Sequence, residues 1–161
     1  MDNISKHASY KEVTYSPVAI KNGIDNSPNA TQLAHIKTCA EKIFEPLREW
    51  VANPISINSC FRTDALNDKI GGAHGSQHCA NNGAAFDIDD TLGHKSNKDM
   101  FFYIWETLEF DQLIWEFGTD TNPDWVHFSY VNGKNRKQVL RAKTINGKTS
   151  YVSVKKGDIK K

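Results

Sequence analysis

The apolar pattern of residues 31–51 restricts the fold of this chain more than any other feature. The segment "TQLAHIKTCAEKIFEPLREWV" repeats apolar residues at three- and four-residue spacing, which is typical of a helix with one apolar face. That face consists of Leu33, Ile36, Ala40, Ile43, Leu47, Trp50 and Val51. Pro46 lacks a backbone N–H, so we expect it to kink the helix. A helix of this kind has to cover an apolar surface elsewhere in the chain.

Short strands are predicted to provide that surface. Four segments are strand-like: "PISINSCF", "GAAFDID", "FDQLIWEFG" and "DWVHFSYV". A final hairpin around Asn146 and Gly147 is predicted from "KQVLRAKT" and "TSYVSVKK". "TDALNDKIGG" predicts a short helix capped by Gly71, and "SNKDMFFYIWETLEF" predicts a second long helix with Ser96 or Asn97 as its N-cap. The predicted fold class is α+β, with helices flanking a small, mostly antiparallel sheet.

The length of 161 residues fits a single domain, 1–161. Within it we expect an extended N-terminal segment over 1–28, a core that carries the site motifs over 31–130, and a C-terminal hairpin or tail over 131–161. The formal net charge is +1, which gives no electrostatic reason to expect a nucleic acid or a membrane surface as partner. We expect neither partner, and we expect a monomer.

The cysteines and the N-terminus bear on the compartment. Cys39, Cys60 and Cys79 are odd in number and irregularly spaced, which predicts reduced thiols in a protein made in a cytoplasm. The N-terminal "MDNISKHASYKEVTYS" lacks the apolar stretch of a signal peptide, and no apolar run has the length of a membrane span. A target outside the cytoplasm therefore requires another route of release.

The stretch "GGAHGSQHCANNGAAFDIDD", residues 71–90, concentrates groups that bind metals. His78 and Asp87 are joined by a loop that contains glycine, and His127 follows on a predicted strand. Two histidines and one aspartate are typical ligands of a catalytic zinc site, which leaves a fourth position open. Asp89 shares the strand face of Asp87 and is the rival ligand. From residue types alone, ordinary polar side chains remain the alternative interpretation.

A zinc site that hydrolyses a substrate also needs a carboxylate that takes a proton from water and passes it to the leaving group. Asp124 follows Pro123 and is predicted to lie in the turn before the strand of His127, where it can curl over the metal. Glu116 in "LIWEFG" is the alternative general base. It also fits a role in orienting a metal-bound histidine or in contacting substrate.

The order of the motifs resembles peptidase family M15, the zinc D-alanyl-D-alanine carboxypeptidases and L-alanyl-D-glutamate endopeptidases, and especially its short bacterial and phage members. The family pattern is S-x-x-R-x-x-x-x-N, then S-x-H, then G-x-A-x-D, then a carboxylate-x-x-His. The matching residues are Ser59, Arg62, Asn67, Ser76, His78, Gly83, Ala85, Asp87, Asp124 and His127. The resemblance runs from about Thr31 to Tyr130. The loop before Asp87 is longer than in the family, but the G-x-A-x-D register selects Asp87 over Asp89.

The resemblance implies a role for each of these side chains. The implied ligands of one Zn²⁺ ion are His78, Asp87 and His127. Asp124 matches the general base, and Arg62 matches an arginine that positions substrate or stabilises developing charge. Further candidates for substrate contact or for support of the ligands are Ser76, Glu116 and Trp125. The implied fold is that shared by D-Ala-D-Ala peptidases and the hedgehog signalling domain.

The activity implied by the resemblance is that of a hydrolase, a zinc metallopeptidase acting on bacterial peptidoglycan. The substrate would be the stem peptide, cut by a D,D-carboxypeptidase or endopeptidase or by an L-Ala-D-Glu endopeptidase. The small size fits an endolysin-like phage protein that degrades the cell wall after release, or a virion component. The alternative is a zinc-stabilised, non-catalytic module that binds the cell wall. The role of Asp124 distinguishes the enzyme from the binding module, because only the enzyme needs its carboxylate.

Overall fold

The structure, a computed structural model, describes residues 3–161, in which helices flank one six-stranded sheet. The helices are α1 (Tyr10–Thr14), α2 (Pro17–Asn22), α3 (Ala30–Cys39), α4 (Glu45–Val51), α5 (Asp64–Lys69) and α6 (Asn97–Thr107). The strands are β1 (Ser56–Ser59), β2 (Ala84–Asp89), β3 (Gln112–Glu116), β4 (Trp125–Tyr130), β5 (Gln138–Ile145) and β6 (Lys148–Ser153). This arrangement confirms the predicted α+β class. Of the described helices, none has the length and apolar character needed to cross a membrane.

The sheet has the strand order β1-β2-β4-β3-β5-β6. Its neighbours are antiparallel except for β3 and β5, which run parallel. The mostly antiparallel sheet and the hairpin around Asn146 and Gly147 are therefore both as predicted. Strand β4 lies between β2 and β3, so the sheet places residues far apart in the chain directly beside each other.

One face of the sheet belongs to the hydrophobic core. Phe86 pairs with Phe128, which pairs with Leu113, and partners in a ladder share a face. The ring of Phe86 stacks on that of Phe128 at 5.5 Å and on that of Phe44, before α4, at 5.8 Å. Because side chains alternate along a strand, the residues between these apolar ones point to the opposite face. The opposite face carries the polar residues discussed below.

The kink predicted at Pro46 takes the form of a π-helical turn, Ala40–Phe44, between α3 and α4. The N–H of Glu45 reaches back to the carbonyl of Ala40, one residue further than in an α-helix. The wider turn lies immediately before the proline, where the regular hydrogen-bond ladder cannot continue. The helical segment continues to Val51, and Phe44 of the turn is in the core.

The N-terminal segment differs from its prediction. We predicted residues 1–28 to be extended, but the described part contains α1 and α2. Both helices begin at serine caps: Ser9 forms a reciprocal capping box with Glu12, and Ser16 caps the helix that starts at Pro17. Helices this short carry too few turns for an apolar period to be recognised in the sequence.

Asp111, just before β3, joins two loops beside the sheet and was not singled out by the sequence. Its carboxylate is 1% exposed. It accepts bonds from the Nε and Nη2 of Arg136 at 2.9 and 2.6 Å, and from Nε2 of Gln77 at 2.9 Å. Burial alone would raise the pKa of Asp111, but these bonds hold it below its usual range. Asp111 therefore connects the segment before His78 to the segment before β5.

We expect Asp111→Ala to lower the free energy of unfolding by about 2–3 kcal/mol at neutral pH, because the donors of Arg136 and Gln77 lose their acceptor. The pKa of the folded carboxyl lies below that of the unfolded chain. Its contribution is therefore present above about pH 4 and is lost as the pH falls through the folded pKa. Urea unfolding of both proteins at neutral and acidic pH measures this difference.

Glu109→Ala is the matched control, because its exposed carboxylate pairs with Lys137 on the surface. We expect no measurable change in stability for that variant, since exposed ion pairs contribute little. A deficit of Asp111→Ala that stays constant from neutral to acidic pH would contradict the assignment of Asp111 as an ionised anchor.

Candidate metal centre

His78, Asp87 and His127 converge at the floor of an open cleft. Each offers one ligand atom, and these atoms all lie within 4.8 Å of one another. Nε2 of His78 is 3.2 Å from Oδ2 of Asp87, and Nδ1 of His127 is 2.9 Å from Oδ1 of Asp87. Two imidazole nitrogens and one carboxylate oxygen are a donor set suited to zinc with a fourth position left open. The structure thus brings together the three residues that the sequence analysis selected as ligands.

The pairing of β2 with β4 places two of the three side chains. Asp87 is the direct partner of His127 in this antiparallel ladder, so their side chains project from the same face of the sheet. Phe86 and Val126, next to them in the chain, point into the core. A shift of one residue in register would turn both polar side chains into the core. The apolar residues of the two strands therefore determine where the ligands point.

The orientation of His78 depends on the residues around Cys60. His78 lies in the 3₁₀ turn Gln77–Cys79, and its Nδ1 is 2.6 Å from the carbonyl oxygen of Cys60. A carbonyl accepts, so Nδ1 carries the proton and Nε2 is left with its lone pair toward Asp87. The N–H of Arg62 donates to the carbonyl of His78 at 2.9 Å. This orientation is the one that a metal ligand needs.

The charge of Asp87 suits a cation. Burial alone would raise the pKa of Asp87, but the imidazoles of His78 and His127 hold it well below its usual range. The carboxylate therefore stays ionised at neutral pH. An ionised carboxylate between two imidazole nitrogens fits a divalent metal ion.

The rival ligand, Asp89, has a different partner. Its Oδ1 accepts a bond of 2.8 Å from Nδ2 of Asn97, at the start of α6, and Asp89 is not part of the cluster. The same buried amide donates to the carbonyls of Pro123 and Asp124 at 3.2 and 3.0 Å. The side-chain oxygen Oδ1 of Asn97 accepts a hydrogen bond from the N–H of Asp90 at 2.9 Å. Asn97 thus joins the end of β2 to the loop before β4, whereas the N-cap of α6 is Ser96.

The cleft above the cluster has a volume of about 1120 Å³. One wall is the loop from Gly71 to Gln77 that leads into His78, and the other follows the sheet toward β5 and β6. The cleft is partly open to solvent, so it can admit a peptide. It is lined by Arg62, Ser76, Glu116 and Trp125 as well as by the three ligands.

Glu116 lies at the end of β3, on the same face as the metal ligands. It pairs with Trp125 in the ladder with β4, and it is 6% exposed. Burial raises the pKa of Glu116 to about 7, with a further rise from Asp87 that His127 opposes. A carboxyl that titrates near neutral pH can both accept and release a proton.

Asp124 lies on the loop between β3 and β4. Its side chain is exposed, and unlike Glu116 and Trp125 it does not line the cleft among the described residues. Its N–H donates to the carbonyl of Glu116 at 2.9 Å. Gly118 has a φ of +66°, and a Cβ there would lie 2.3 Å from the carbonyl oxygen of Asn122 and 2.7 Å from the nitrogen of Asp124. The close packing of this loop therefore requires glycine at 118.

Arg62 and Ser76 lie together on the cleft wall. Nη2 of Arg62 donates to Oγ of Ser76 at 3.3 Å, and the same Oγ accepts from the N–H of His78. Nε of Arg62 is buried and has no hydrogen-bond partner among residues 3–161. An arginine that lines the cleft beside the three candidate metal ligands can bind a carboxylate or a developing oxyanion.

Two residues of α3 support the site and were missed by the sequence analysis. Nε2 of Gln32 donates to the carbonyl of Cys79 and to Oδ1 of Asn81, both at 3.0 Å. Nδ1 of His35 lies 2.7 Å from the carbonyl of Ala80. These bonds hold the start of the loop between His78 and Asp87. Gln32 and His35 lie between the apolar positions of the helix. That placement is the one feature of the sequence that indicates a polar contact.

The comparisons with known proteins agree with this geometry. The model of one family, described as Peptidase M15, matches residues 6–129. No curated protein matches the chain. The matched residues include the three candidate ligands, Arg62, Glu116 and Asp124, and they cover most of the sequence. This chain belongs to the peptidase M15 family.

Proposed function

We propose that this protein is a zinc metallopeptidase that hydrolyses peptide bonds of bacterial peptidoglycan. The observation that carries the proposal is the cluster of His78, Asp87 and His127 at the floor of an open cleft. Family membership supports a peptidase, since M15 enzymes are zinc metallopeptidases. The stem peptide is the substrate class expected from the resemblance to cell-wall peptidases.

The residues of the cluster fit a catalytic zinc ion. His78 presents Nε2 because its other nitrogen is bonded to the carbonyl of Cys60, and Asp87 is held ionised by its neighbours. Bound there, zinc would lower the pKa of a water molecule to about 7 and polarise the scissile carbonyl. The cleft leaves room for the peptide above the three ligands.

Two carboxylates are available for proton transfer. Asp124 matches the family's general base in the order of the motifs, three residues before His127, and it is exposed to solvent. Glu116 is buried in the cleft, and burial places its pKa near 7. We assign proton transfer from water to the leaving amine to Asp124. Glu116 then contacts the substrate or keeps His127 in place.

Arg62 supplies positive charge on the wall of the cleft beside His78. Its guanidinium is tethered to Ser76 by one terminal nitrogen, which leaves other N–H groups for the substrate. Arg62 positions the peptide through a carboxylate or stabilises the negative charge that develops on the scissile carbonyl oxygen. Trp125 borders the same part of the cleft and offers an aromatic surface to the peptide.

The biological setting that we propose is lysis by a phage, with the protein acting as an endolysin or within the virion. Support comes from the resemblance to short phage members of the family. An endolysin is made inside the cell and reaches the wall after release.

The experiment that tests the activity is mass spectrometry of purified peptidoglycan after digestion. We expect the wild-type protein, loaded with zinc, to produce a released D-Ala, a new amine on D-Glu or an opened cross-bridge. Each of these products identifies a different bond. Treatment with a chelator should abolish the products, and added Zn²⁺ should restore them.

Asp124→Ala provides the matched inactive protein, which we expect to bind zinc but to give unchanged fragments. Unchanged fragments from the zinc-loaded wild type, across several wall chemotypes, would contradict the peptidase proposal. In that event the three ligands would hold a structural metal in a non-catalytic wall-binding or virion module. Sedimentation of the protein with intact peptidoglycan would then test binding directly.

A further inference from the structure

The β5–β6 hairpin lies outside residues 6–129, which match the family, and yet it forms part of the cleft. Strand β5 runs parallel to β3, and β6 is antiparallel to β5, so the hairpin extends the sheet beyond the strand that carries Glu116. Leu140, Thr149 and Tyr151 of the hairpin line the cleft. The part of the cleft on this side is therefore built from residues that the family match does not describe.

The register of the sheet places Tyr151 in line with Glu116. Glu116 pairs with Ala142, and Ala142 pairs with Tyr151, so the three residues form one row across β3, β5 and β6 on the cleft face. Ala142 has only a methyl group and is fully buried. The small residue leaves space above it into which the ring of Tyr151 can project.

Tyr151 offers a free hydrogen-bond donor to the cleft. Tyr151 is 56% exposed and lines the cleft, so its hydroxyl is accessible to a bound ligand. Partial burial raises the pKa of Tyr151, and the carboxylates of Glu116 and Asp87 raise it further. The phenol therefore keeps its proton at neutral pH and can donate it to an acceptor.

Apart from Glu116, which shares the row of Tyr151, the floor between Tyr151 and the three candidate metal ligands is apolar. Ile114, Leu140 and Ala142 form a small hydrophobic cluster, separate from the main core, with Phe117 packed against it. Ile114 and Leu140 continue the row of Asp87 and His127 across the sheet. The side chains of these four residues are all uncharged. The hydroxyl of Tyr151 lies at the edge of the floor that they form. An uncharged stretch of peptide with a small aliphatic side chain fits these features.

We propose that the β5–β6 hairpin forms a substrate subsite in which Tyr151 donates a hydrogen bond to a backbone carbonyl of the bound peptide. The apolar floor of Ile114 and Leu140 receives a small aliphatic side chain of the same peptide. This inference rests on the proposed peptidase function. It identifies the part of the chain that binds the substrate on one side of the scissile bond. Tyr151 lies three strands from His127, so it binds substrate and takes no part in the proton transfer.

Tyr151→Phe tests the subsite, because it removes the hydroxyl and keeps the ring. With a soluble muropeptide as substrate, we expect KM to rise about three- to tenfold and kcat to stay within about twofold, which corresponds to one lost neutral hydrogen bond. Isothermal titration of the zinc-loaded protein with the two product peptides gives a second readout. We expect weaker binding of the product that occupies the hairpin side and unchanged binding of the other, whereas a general loss of structure would weaken both.

Tyr15→Phe is the matched control, since Tyr15 is 57% exposed and does not line the cleft. We expect wild-type KM, kcat and thermal stability for that variant. A KM for Tyr151→Phe within twofold of wild type, or an equal shift in both variants, would overturn the subsite and leave the peptidase intact. If the wild type cleaves no muropeptide, the proposed function fails instead. Titration with the uncut muropeptide then decides the subsite, because wild type and Tyr151→Phe binding equally would overturn it.

Discussion

Replacing Asp124 by asparagine is expected to lower kcat by about 10²- to 10⁴-fold and to leave zinc content and KM near their wild-type values. The reason is that asparagine keeps the shape of aspartate but cannot accept the proton of the attacking water. The measurement is steady-state kinetics on a soluble muropeptide, together with the zinc content of the dialysed protein. A loss of kcat without a loss of metal identifies a residue of the proton transfer.

The structure explains why this variant should fold normally. The bonds that hold Asp124 in its loop come from its backbone: its N–H donates to the carbonyl of Glu116, and its carbonyl accepts from Asn97. The exposed carboxylate makes no hydrogen bond within residues 3–161. Both backbone bonds remain in Asp124→Asn. We therefore expect the thermal midpoint of unfolding to match that of the wild type.

Two further variants test whether Asp124 or Glu116 is the general base. Asp120→Asn changes an aspartate on the same loop whose carboxylate pairs with Arg141, outside the cleft, and it should retain full kcat. Glu116→Gln changes the buried acid of the cleft. If Glu116→Gln loses the rate and Asp124→Asn keeps it, Glu116 is the general base. If both keep the rate of cleavage, proton transfer requires neither carboxylate, and our assignment of the base is wrong.

The placement of the ligands was predictable because it follows from strand alternation. Phe86 and Phe128 are large apolar residues next to Asp87 and His127, and burying them turns the two polar side chains to the opposite face. The choice between Asp87 and Asp89 could not be made from alternation, since both share a face. The contact of Asp89 with Asn97 separates them, and it joins segments that no local pattern relates.

The supporting residues were not predictable for a related reason. Asn97 and Asp111 are single buried polar residues whose partners come from distant loops. Neither lies in a motif or a repeat, so the sequence shows an ordinary helix start and an ordinary turn. The backbone of the loop that carries Asp124 likewise depends on the close approach of Gly118 to Asn122 and Asp124. Such contacts form only once the sheet has brought the segments together.

Replacing Asp87 by asparagine is expected to remove zinc from the protein and to reduce activity by about 10³-fold or more. The carboxylate is the anionic member of the cluster and lies within 3.2 Å of both histidines. An amide in its place offers the metal a neutral oxygen, or a nitrogen that cannot bind it. We expect elemental analysis after dialysis to find about one zinc per wild-type chain and less than about a tenth of that in Asp87→Asn.

Asp89→Asn is the decisive partner of this experiment, since it makes the same chemical change two residues away on the same strand face. Its carboxylate is bonded to Asn97 and not to the histidines, so we expect full zinc content and at most a small loss of stability. The opposite outcome, with zinc lost from Asp89→Asn and kept by Asp87→Asn, would reassign the ligand. Zinc kept by both variants would mean that the metal binds outside the cluster, and the cleft would then have no Lewis acid for peptide hydrolysis. Metal loss confined to Asp87→Asn ties the zinc to the strand pair that the core residues hold in register.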